Sequence, residues 1–426
     1  MTLRQINADF SNLIKLFTKT KQKVLSKFLA EMISGIIVSR SVKLSAIARA
    51  IEKDSQTTSR HIFKKLDRNL GHFDTYAVKD KVQAKQMALI DDNTLIYFDP
   101  TDIIKNHGKK FEALSLVADG SDHHKVKKGY PAVCCVALKN EELIPLEFDL
   151  FSYKEESFDS ENQKLLFHID TIAHRSRFKG TFVLDRGFDR FAVIRHLCLN
   201  ATNFILRLKE NRHFYSPGRP HQSYHRADII NRHYELEAKA LLDIRIKKKL
   251  SKKLFTIKSA KVELVSGKIE SSNALTLIRA KACDTFTLYL LTNKENLSAE
   301  SLIQIVQDYL NRWKVEEFIR FIKQQYGAEK FQVLSLGRIK NLFNLLFIAV
   351  VILTRLSELD IKFSKTRAIL IKKARRTYKI PQKMRFFLYA LADGLSELLK
   401  MIDKKLLQLW QVISKNQRQL LLKGIQ

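Results

Sequence analysis

The chain has 426 residues and is poor in cysteine, proline and glycine, of which it contains 4, 6 and 13. The cysteines show no C-x-x-C spacing and no disulfide framework, so they predict buried thiols in a reducing compartment. Few glycines and prolines, together with 45% hydrophobic residues, indicate a folded protein rich in regular secondary structure. A chain of this length is expected to form two or three domains.

Segments that would enter or cross a membrane are also missing from the sequence pattern. The first ten residues, MTLRQINADF, lack the apolar stretch of a secretory signal. The most apolar run, Leu342 to Leu353, is too short to span a bilayer and predicts a helix in the protein core. We therefore expect a cytoplasmic protein that does not act at a membrane.

Acidic residues are in the minority. The chain contains 75 Lys and Arg against 44 Asp and Glu, which gives a formal net charge of +31. Such an excess on a folded protein indicates a polyanionic partner, and nucleic acid is the commonest one. An anionic membrane surface is less favoured, because the basic residues spread along the chain and do not form one membrane-facing helix.

Residues 1–85 are predicted to be helical throughout. Within them, residues 41–67 have the pattern of a helix-turn-helix with a short break at 53–55. Ser55 is expected to cap a second helix that exposes four polar side chains: Thr57, Arg60, Lys64 and Lys65. An ordinary helical hairpin fits the same pattern, and the sequence leaves both interpretations open.

After Asn93 the pattern changes to short apolar runs with the composition of β-strands. TLIYFD predicts a strand that ends at Asp99, and GTFVLD predicts another that ends at Asp185. Further elements follow in an α/β order, with strands at 131–138, 143–151 and 203–209 and helices at 161–175 and 188–199. Since the carboxyl ends of such strands usually carry the chemistry of the sheet, both aspartates are candidate site residues.

Residues 210–285 interrupt this order. Their segments alternate between polar and apolar residues, which predicts antiparallel strands with a basic outer face, densest at Lys247 to Lys253. We interpret them as a β-rich insertion, after which a strand at 287–293 returns to the core. Three histidines with roughly metal-like spacing lie in a Pro/Gly-rich stretch without cysteine, where a solvated or DNA-facing loop is the better interpretation: His221, His225 and His233.

A long segment without Gly or Pro, residues 301–326, has apolar residues at helical spacing and predicts one helix of about seven turns. Trp313 and Leu302 indicate that one broad side of this helix is half buried. On that side, four functional side chains fall within an arc of about 60°: Tyr309, Arg312, Glu316 and Lys323. A carboxylate aligned with cations needs a partner, and a metal ion and a phosphate would suit both.

The spacing of those four residues, Y-x2-R-x3-E-x6-K, resembles the Y-R-E-K signature of one large branch of bacterial insertion-sequence DDE transposases. YFDPTDI, which contains Asp99, resembles the first motif of this family. LDRGFD, which contains Asp185, resembles the second, in which Arg follows the Asp directly. The resemblance covers about Leu95 to Tyr326. It implies an α/β ribonuclease-H-like core with a β-rich insertion, flanked by helical N- and C-terminal regions.

The resemblance also implies a division into three regions. The first is a helical DNA-binding domain at 1–85. The second is the catalytic core at 86–326, with the insertion at 210–285. The third is a helical C-terminal region at 327–426, which would serve dimerisation or DNA contact.

In this family the catalytic carboxylates bind metal. The resemblance therefore implies Asp99, Asp185 and Glu316 as catalytic residues and as ligands of two Mg²⁺ ions, for which Mn²⁺ can substitute. Asp102 and Asp189 are the main alternatives, and we prefer Asp99 and Asp185 because each directly ends its predicted strand. The expected DNA contacts are Tyr309, Arg312, Lys323, Arg186, Trp313, Arg60 and Lys64.

The implied activity is cutting of double-stranded DNA at the terminal inverted repeats of an insertion sequence and joining of the 3′-OH ends to target DNA. A homodimer associated with the bacterial nucleoid would hold the two ends.

Relatives that form a hairpin use an aromatic residue of the insertion, commonly Trp, to hold a flipped base. This insertion has no Trp, so the candidates are Tyr224, Tyr234 and Phe255. Two alternatives stay open: a ribonuclease-H-like nuclease that cleaves without joining, and an inactive DNA-binding relic.

Overall fold

The computed structural model describes residues 3–52, 57–118, 125–200, 202–216, 219–246, 249–264, 275–282, 286–357, 368–375 and 387–401. The chain begins with five helices: α1 (Leu3–Thr18), α2 (Lys23–Ser39), α3 (Leu44–Glu52), α4 (Ser59–His72) and α5 (Tyr76–Met87). The expected helical N-terminal region is therefore observed. The second helix of the helix-turn-helix pattern begins at Ser59, after Thr58, so the prediction that Ser55 caps it is wrong; Ser55 itself lies outside the described residues.

The centre of the protein is a mixed sheet whose first strand, β1 (Leu95–Ile104), has an antiparallel and a parallel neighbour. Antiparallel to it runs β3 (Val126–Lys139), which also pairs with β2 (Ser115–Ala118) and β4 (Glu142–Leu150). The turn between β3 and β4 has positive φ at both Asn140 and Glu141, the backbone that a two-residue hairpin of type I′ requires. The parallel neighbour is β5 (Thr181–Leu184), which is in turn parallel to β6 (Phe204–Arg207).

Helices connect the parallel strands. α6 (Glu161–Arg175) leads from β4 to β5, and its first turn is capped by Ser160, whose side chain accepts the Gln163 backbone N–H. α7 (Phe191–Leu199) leads from β5 to β6. This mixed sheet with its helices is consistent with a ribonuclease-H-like transposase fold. β2 and the last five residues of β1 are elements that the sequence pattern did not predict.

The strands of the expected insertion extend the same sheet. These elements are β7 (His213–Ser216), β8 (Arg219–His225), α8 (Arg226–His233), β9 (Leu236–Ile246), β10 (Lys249–Leu264) and β11 (Leu275–Ala282). They are joined to the core through β12 (Thr287–Thr292), which is antiparallel to both β6 and β11. The antiparallel strands expected here are therefore present. Two residues of the densest basic stretch, 247–248, lie outside the described part.

The remaining elements are helical. α9 (Ala299–Leu310) and α10 (Trp313–Gln325) follow the sheet, and then come α11 (Leu336–Ser357), α12 (368–375) and α13 (Leu388–Met401). Among the described residues one helix, Leu336–Leu356, is long and apolar enough to cross a membrane, but 72% of its apolar window is buried inside the protein. It packs against β4 and the N-terminal helices α2, α4 and α5. The apolar run at 342–353 thus forms a core helix, as predicted.

Helix α5 covers the outer side of β4, which among the described strands pairs only with β3. Three α5 side chains at helical spacing donate to carbonyls along β4: Lys79 to Phe148 O at 3.0 Å, Gln83 to Leu146 O at 3.0 Å and Gln86 to Pro145 O at 3.5 Å. An uncovered edge strand would present unpaired backbone groups to other chains. The helix therefore blocks β-sheet association at this edge.

A buried network of charges holds the same contact. Lys79 Nζ lies 2.5 Å from Glu147 Oε1, and His168 of α6 bridges Glu147 Oε2 at 3.3 Å and Asp149 Oδ2 at 3.0 Å. Burial by itself would lower the pKa of His168, but its hydrogen bonds to Asp149 and Glu147 outweigh burial and raise that pKa to about 9. The imidazolium is therefore part of the folded structure at neutral pH.

We expect this histidine to make stability depend on pH. Since its pKa rises from 6.5 to about 9 on folding, its contribution is fully present below pH 6.5 and is lost as pH rises through about 9. The free energy of unfolding should fall between these pH values by about 3 kcal/mol more in the wild type than in His168→Gln. Urea unfolding at several pH values measures this slope. The exposed His107→Gln serves as control and should keep the wild-type slope, whereas an unchanged slope in His168→Gln would show that the ring is neutral in the fold.

Candidate functional site

Asp99 and Asp185 lie side by side because of the register of two parallel strands. The pairing of β1 with β5 ends at Phe98 and Leu184, and each aspartate is the next residue along the chain. Asp185 directly follows β5, as predicted. Asp99 does not end its strand, which was the prediction: β1 continues to Ile104, paired with β3. At Asp99 it is the pairing with the parallel neighbour β5 that ends. The Asp99 side chain therefore lies at the level where β5 stops.

The alternative aspartates are held elsewhere. Side chains alternate along β1, so Asp102 lies on the face opposite to Asp99, where its charge acts on Tyr153. Asp189 is only 1% exposed, and its Oδ1 accepts a bond from Arg212 at 2.5 Å. Its Oδ2 accepts from the backbone N–H of Lys209 at 2.7 Å. This aspartate ties the turn after β5 to the start of the insertion.

The predicted single helix at 301–326 is in fact two helices. α9 starts with a capping box at Ser298 and Ser301 and ends at Leu310, and α10 starts at Trp313. At the junction the backbone bonds shorten to i→i−3, for example from Arg312 N to Tyr309 O at 3.0 Å. No Gly or Pro marks this junction. We attribute the break to the tertiary contacts of Arg312.

The guanidinium of Arg312 lies among three carboxylates from three different elements. Its Nη1 is 3.2 Å from Asp99 Oδ2, its Nη2 is 3.9 Å from Asp185 Oδ2, and it also donates to Glu316 Oε1. The Tyr309 hydroxyl donates to Asp185 Oδ1 at 3.0 Å. The structure therefore brings together Asp99, Asp185, Glu316, Tyr309 and Arg312.

Burial and charge set the protonation of this cluster. Burial raises the pKa of Asp99, and despite the opposing charge of Arg312 that pKa reaches about 7. Burial also acts to raise the pKa of Asp185, but Arg312, the Arg186 backbone N–H and the Tyr309 hydroxyl outweigh it and hold that pKa below its usual range. The two adjacent aspartates thus differ in affinity for protons, because Asp185 has more hydrogen-bond donors.

Arg207 is a further member of the site that the sequence pattern missed. Leu206 pairs with Leu184 in the parallel register of β6 and β5, so Arg207 is the neighbour of Asp185. Its Nη1 lies 3.9 Å from Asp185 Oδ1. The available signal was a basic residue near the end of the predicted strand 203–209. Arg186, which was predicted, is exposed and directly follows Asp185 in the chain.

The other residues that were predicted to contact DNA have contacts outside this cluster or are exposed elsewhere. Lys323 Nζ donates to the backbone O of Asp102 at 2.6 Å. Trp313 packs beneath the guanidinium of Arg245 from β9, whose Cζ is 4.6 Å from the ring centroid. Arg60 and Lys64 are both exposed on α4, one helical turn apart.

Of the three aromatic residues of the insertion that were candidates for holding a flipped base, one is exposed. Phe255 is fully buried and Tyr224 is half buried, so neither presents a free ring face. Tyr234 is 47% exposed and has Lys258 Nζ 3.7 Å from its ring centroid. His225 caps α8 through Nδ1, and its Nε2 lies 2.7 Å from Glu210 O, so it has a structural role.

Three carboxylates are oxygen ligands of the kind that Mg²⁺ prefers, and they reach one point of the fold from β1, β5 and α10. They are arranged around the Arg312 guanidinium, however. No group of three His, Cys, Asp or Glu within the described ranges is close enough to hold one ion as the side chains stand. The three carboxylates are therefore suitable ligands for the metal, but the Arg312 guanidinium lies between them.

Comparison with known proteins gives one family match. The profile of the family described as Transposase DDE domain matches residues 83–352, more than half of the chain. No curated protein sequence matches this chain. Among solved structures, a piggyBac transposase synaptic complex with hairpin DNA aligns with 93% of this chain and 78% of its own at 11% identity and a TM-score of 0.43. An Endonuclease V of Ciona intestinalis in complex with DNA aligns with 58% of this chain and 98% of its own at 14% identity and a TM-score of 0.22. These two structural similarities are too weak to support further conclusions.

Asp189 and Asp185 both follow β5, but we expect only Asp189 to be needed for stability. Measuring the free energy of unfolding of two variants tests this difference. Asp189→Asn removes a buried ion-pair partner of Arg212 and should lower the free energy of unfolding by about 3 kcal/mol. Asp185→Asn should lower it by less than about 1 kcal/mol, because that side chain is 32% exposed and Arg312 keeps Asp99 and Glu316 as partners. Urea unfolding of both variants measures the difference. Equal losses would mean that Asp185 is also a structural residue.

Proposed function

The chain belongs to the transposase DDE domain family, and on that premise we propose that it cuts DNA at the terminal inverted repeats of an insertion sequence and joins the 3′-OH ends to target DNA. The observation that carries this proposal is the meeting of Asp99, Asp185 and Glu316, one from each expected motif, around Arg312. The Y-R-E-K spacing supports assignment to that branch of bacterial transposases.

The carboxylates supply what phosphodiester chemistry needs. Two Mg²⁺ ions, or Mn²⁺ as a substitute, held by Asp99, Asp185 and Glu316 would activate the attacking oxygen and stabilise the leaving oxygen. Tyr309 orients the Asp185 carboxylate through its hydroxyl. The parallel register holds the two aspartates at a fixed separation, and the first turn of α10 brings Glu316 across them. These contacts preorganise the site before DNA arrives.

The cations around the cluster would bind the DNA backbone. Arg207 lies beside Asp185, and Arg186 is exposed and follows Asp185 directly in the chain, so both could reach a phosphate. Arg312, Tyr309 and Lys323 are engaged with protein oxygens, so a DNA contact by any of them would replace such a bond. Trp313 is covered by Arg245, which makes it a support of the α10 start and a weaker DNA contact than its neighbours.

Other parts of the chain complete the proposal. Double-stranded DNA is the partner that a net charge of +31 favours, and α4 presents Arg60 and Lys64 to it. We propose a homodimer that holds two element ends, located in the cytoplasm at the nucleoid. If the reaction passes through a hairpin, Tyr234 is the insertion residue whose exposed ring could stack on a flipped base.

The third carboxylate provides the main test. With Mg²⁺ or Mn²⁺ and duplexes that carry the element's ends, the wild type should cleave and join, whereas Glu316→Gln should lose both activities by at least about 100-fold. Gel analysis of cleaved and joined products measures this. The exposed Glu156→Gln is the matched control and should retain activity.

The other outcomes of this assay discriminate between functions. Cleavage without joining would support a nuclease instead of a transposase. Binding without either reaction would indicate an inactive DNA-binding relic. Full activity in Glu316→Gln would remove this residue from the metal site.

The role of α4 is tested through salt dependence. The double variant Arg60→Gln/Lys64→Gln should bind duplex DNA more weakly, and the slope of log K against log salt should fall by about 2, since two phosphate contacts are lost. Fluorescence anisotropy at several salt concentrations measures it. The control Arg177→Gln/Lys179→Gln removes two exposed cations before the start of β5, at the end of the strand opposite the site. Equal slopes in both variants would show that α4 makes no special contact.

A further inference from the structure

The position of Arg312 has a consequence for the proposed metal chemistry. Its side chain is 13% exposed and its guanidinium contacts Asp99, Asp185 and Glu316 at once. These are all the carboxylates that the proposed function assigns to the metal ions. A divalent cation and the guanidinium therefore need the same oxygen atoms.

The two cations exclude one another for geometric and electrostatic reasons. Mg²⁺ lies about 2.1 Å from its oxygen ligands and requires near-octahedral geometry. An ion between Asp99 and Asp185 would lie within a few ångströms of the guanidinium nitrogens, and the repulsion is strong where water is largely excluded. Arg312 must turn away before the carboxylates can hold the metal in full.

The fold allows that movement to be confined to one side chain. Gln307 bonds both backbone groups of Asp243 in β9, at 3.0 and 3.2 Å, which holds the end of α9 on the sheet. At the start of α10, Arg245 of β9 stacks on Trp313 and pairs with Glu317 at 2.7 Å. The backbone on both sides of Arg312 is thus held, while its guanidinium is held by its contacts with the three carboxylates.

A DNA phosphate provides the alternative partner. Arg207 Nη1 lies 3.9 Å from Asp185 Oδ1, and the exposed Arg186 follows Asp185 in the chain, so a DNA backbone bound by these two arginines would pass close to Arg312. A guanidinium binds a phosphate in the same bidentate geometry as a carboxylate. The loss of its carboxylate contacts would be offset by the phosphate.

We propose that Arg312 is an exchangeable internal counter-ion, which occupies the carboxylate cluster until a DNA phosphate draws it out and a divalent cation replaces it. This inference rests on the proposed metal-dependent function and adds a regulatory property to it. DNA and divalent cations then bind with positive coupling. By linkage, each increases the affinity for the other by the same factor.

The test measures metal binding, without catalysis. Mn²⁺ is titrated into the full-length protein and free Mn²⁺ is followed by electron paramagnetic resonance, with and without a duplex of roughly 40 bp that lacks the element's ends, long enough for backbone contacts of any sequence. A titration of the duplex alone corrects for Mn²⁺ bound by DNA. The wild type should bind Mn²⁺ about tenfold more tightly with the duplex than without it.

Two variants separate exchange from simple charge removal. Arg312→Gln should bind Mn²⁺ about tenfold more tightly than the wild type without DNA, and the duplex should add little. Arg177→Gln removes an equal charge from an exposed position before the start of β5, at the end of that strand opposite the site, so it should retain the coupling. Circular dichroism and thermal unfolding confirm that both variants are folded.

The result that would overturn the proposal is a wild-type Mn²⁺ affinity that the duplex leaves unchanged, or coupling that persists in Arg312→Gln. If either occurs while cleavage still depends on Glu316, only the exchange of Arg312 is refuted. If no variant binds Mn²⁺ at all, both the exchange and the metal-dependent function are refuted. Coupling in a protein that never cleaves element ends would support the exchange and refute the transposase proposal.

Discussion

The parallel pairing of β1 with β5 is the constraint on which the rest of the site depends. It ends after Phe98 and Leu184, so two carboxylates emerge from adjacent strands at the same level. The same register, continued from β5 to β6, places Arg207 next to Asp185. Two like charges brought together by the backbone need a cation, and the α9–α10 junction supplies it through Arg312.

A second constraint lies at the other side of the sheet, where α5 covers β4. The N-terminal helices are attached to the core there through side chain to backbone bonds and a buried charge network of Lys79, Glu147 and His168. Because polar contacts need defined distances and angles, they fix the position of α5 more closely than apolar packing would. The helical region and the central sheet are thus joined at this point by directional polar contacts.

Local features of the site could be predicted from the sequence, and long-range ones could not. Asp185 was found because a short apolar run ends directly before it. Asp99 was found by the same rule, although its strand continues, since the limit is set by the neighbouring strand. Register between strands is not encoded in either strand alone, so Arg207 was missed. The stripe of Lys79, Gln83 and Gln86 has the pattern of a solvent-exposed helix face, because side chains that bond backbone carbonyls have the same polarity as side chains that bond water.

Adjacent glutamates on α10 show how the insertion contributes to the site. Glu316 faces Arg312 and the aspartates, whereas Glu317 is bound by Arg245 of β9 and by Arg320. Since β9 pairs with β10, which continues the core sheet through β11 and β12, α10 is held by the same sheet that carries the aspartates. The elements that carry the three carboxylates are therefore connected through one sheet. An insertion that only enlarged the surface would not need this contact, so its strands support the site as well as extending the sheet.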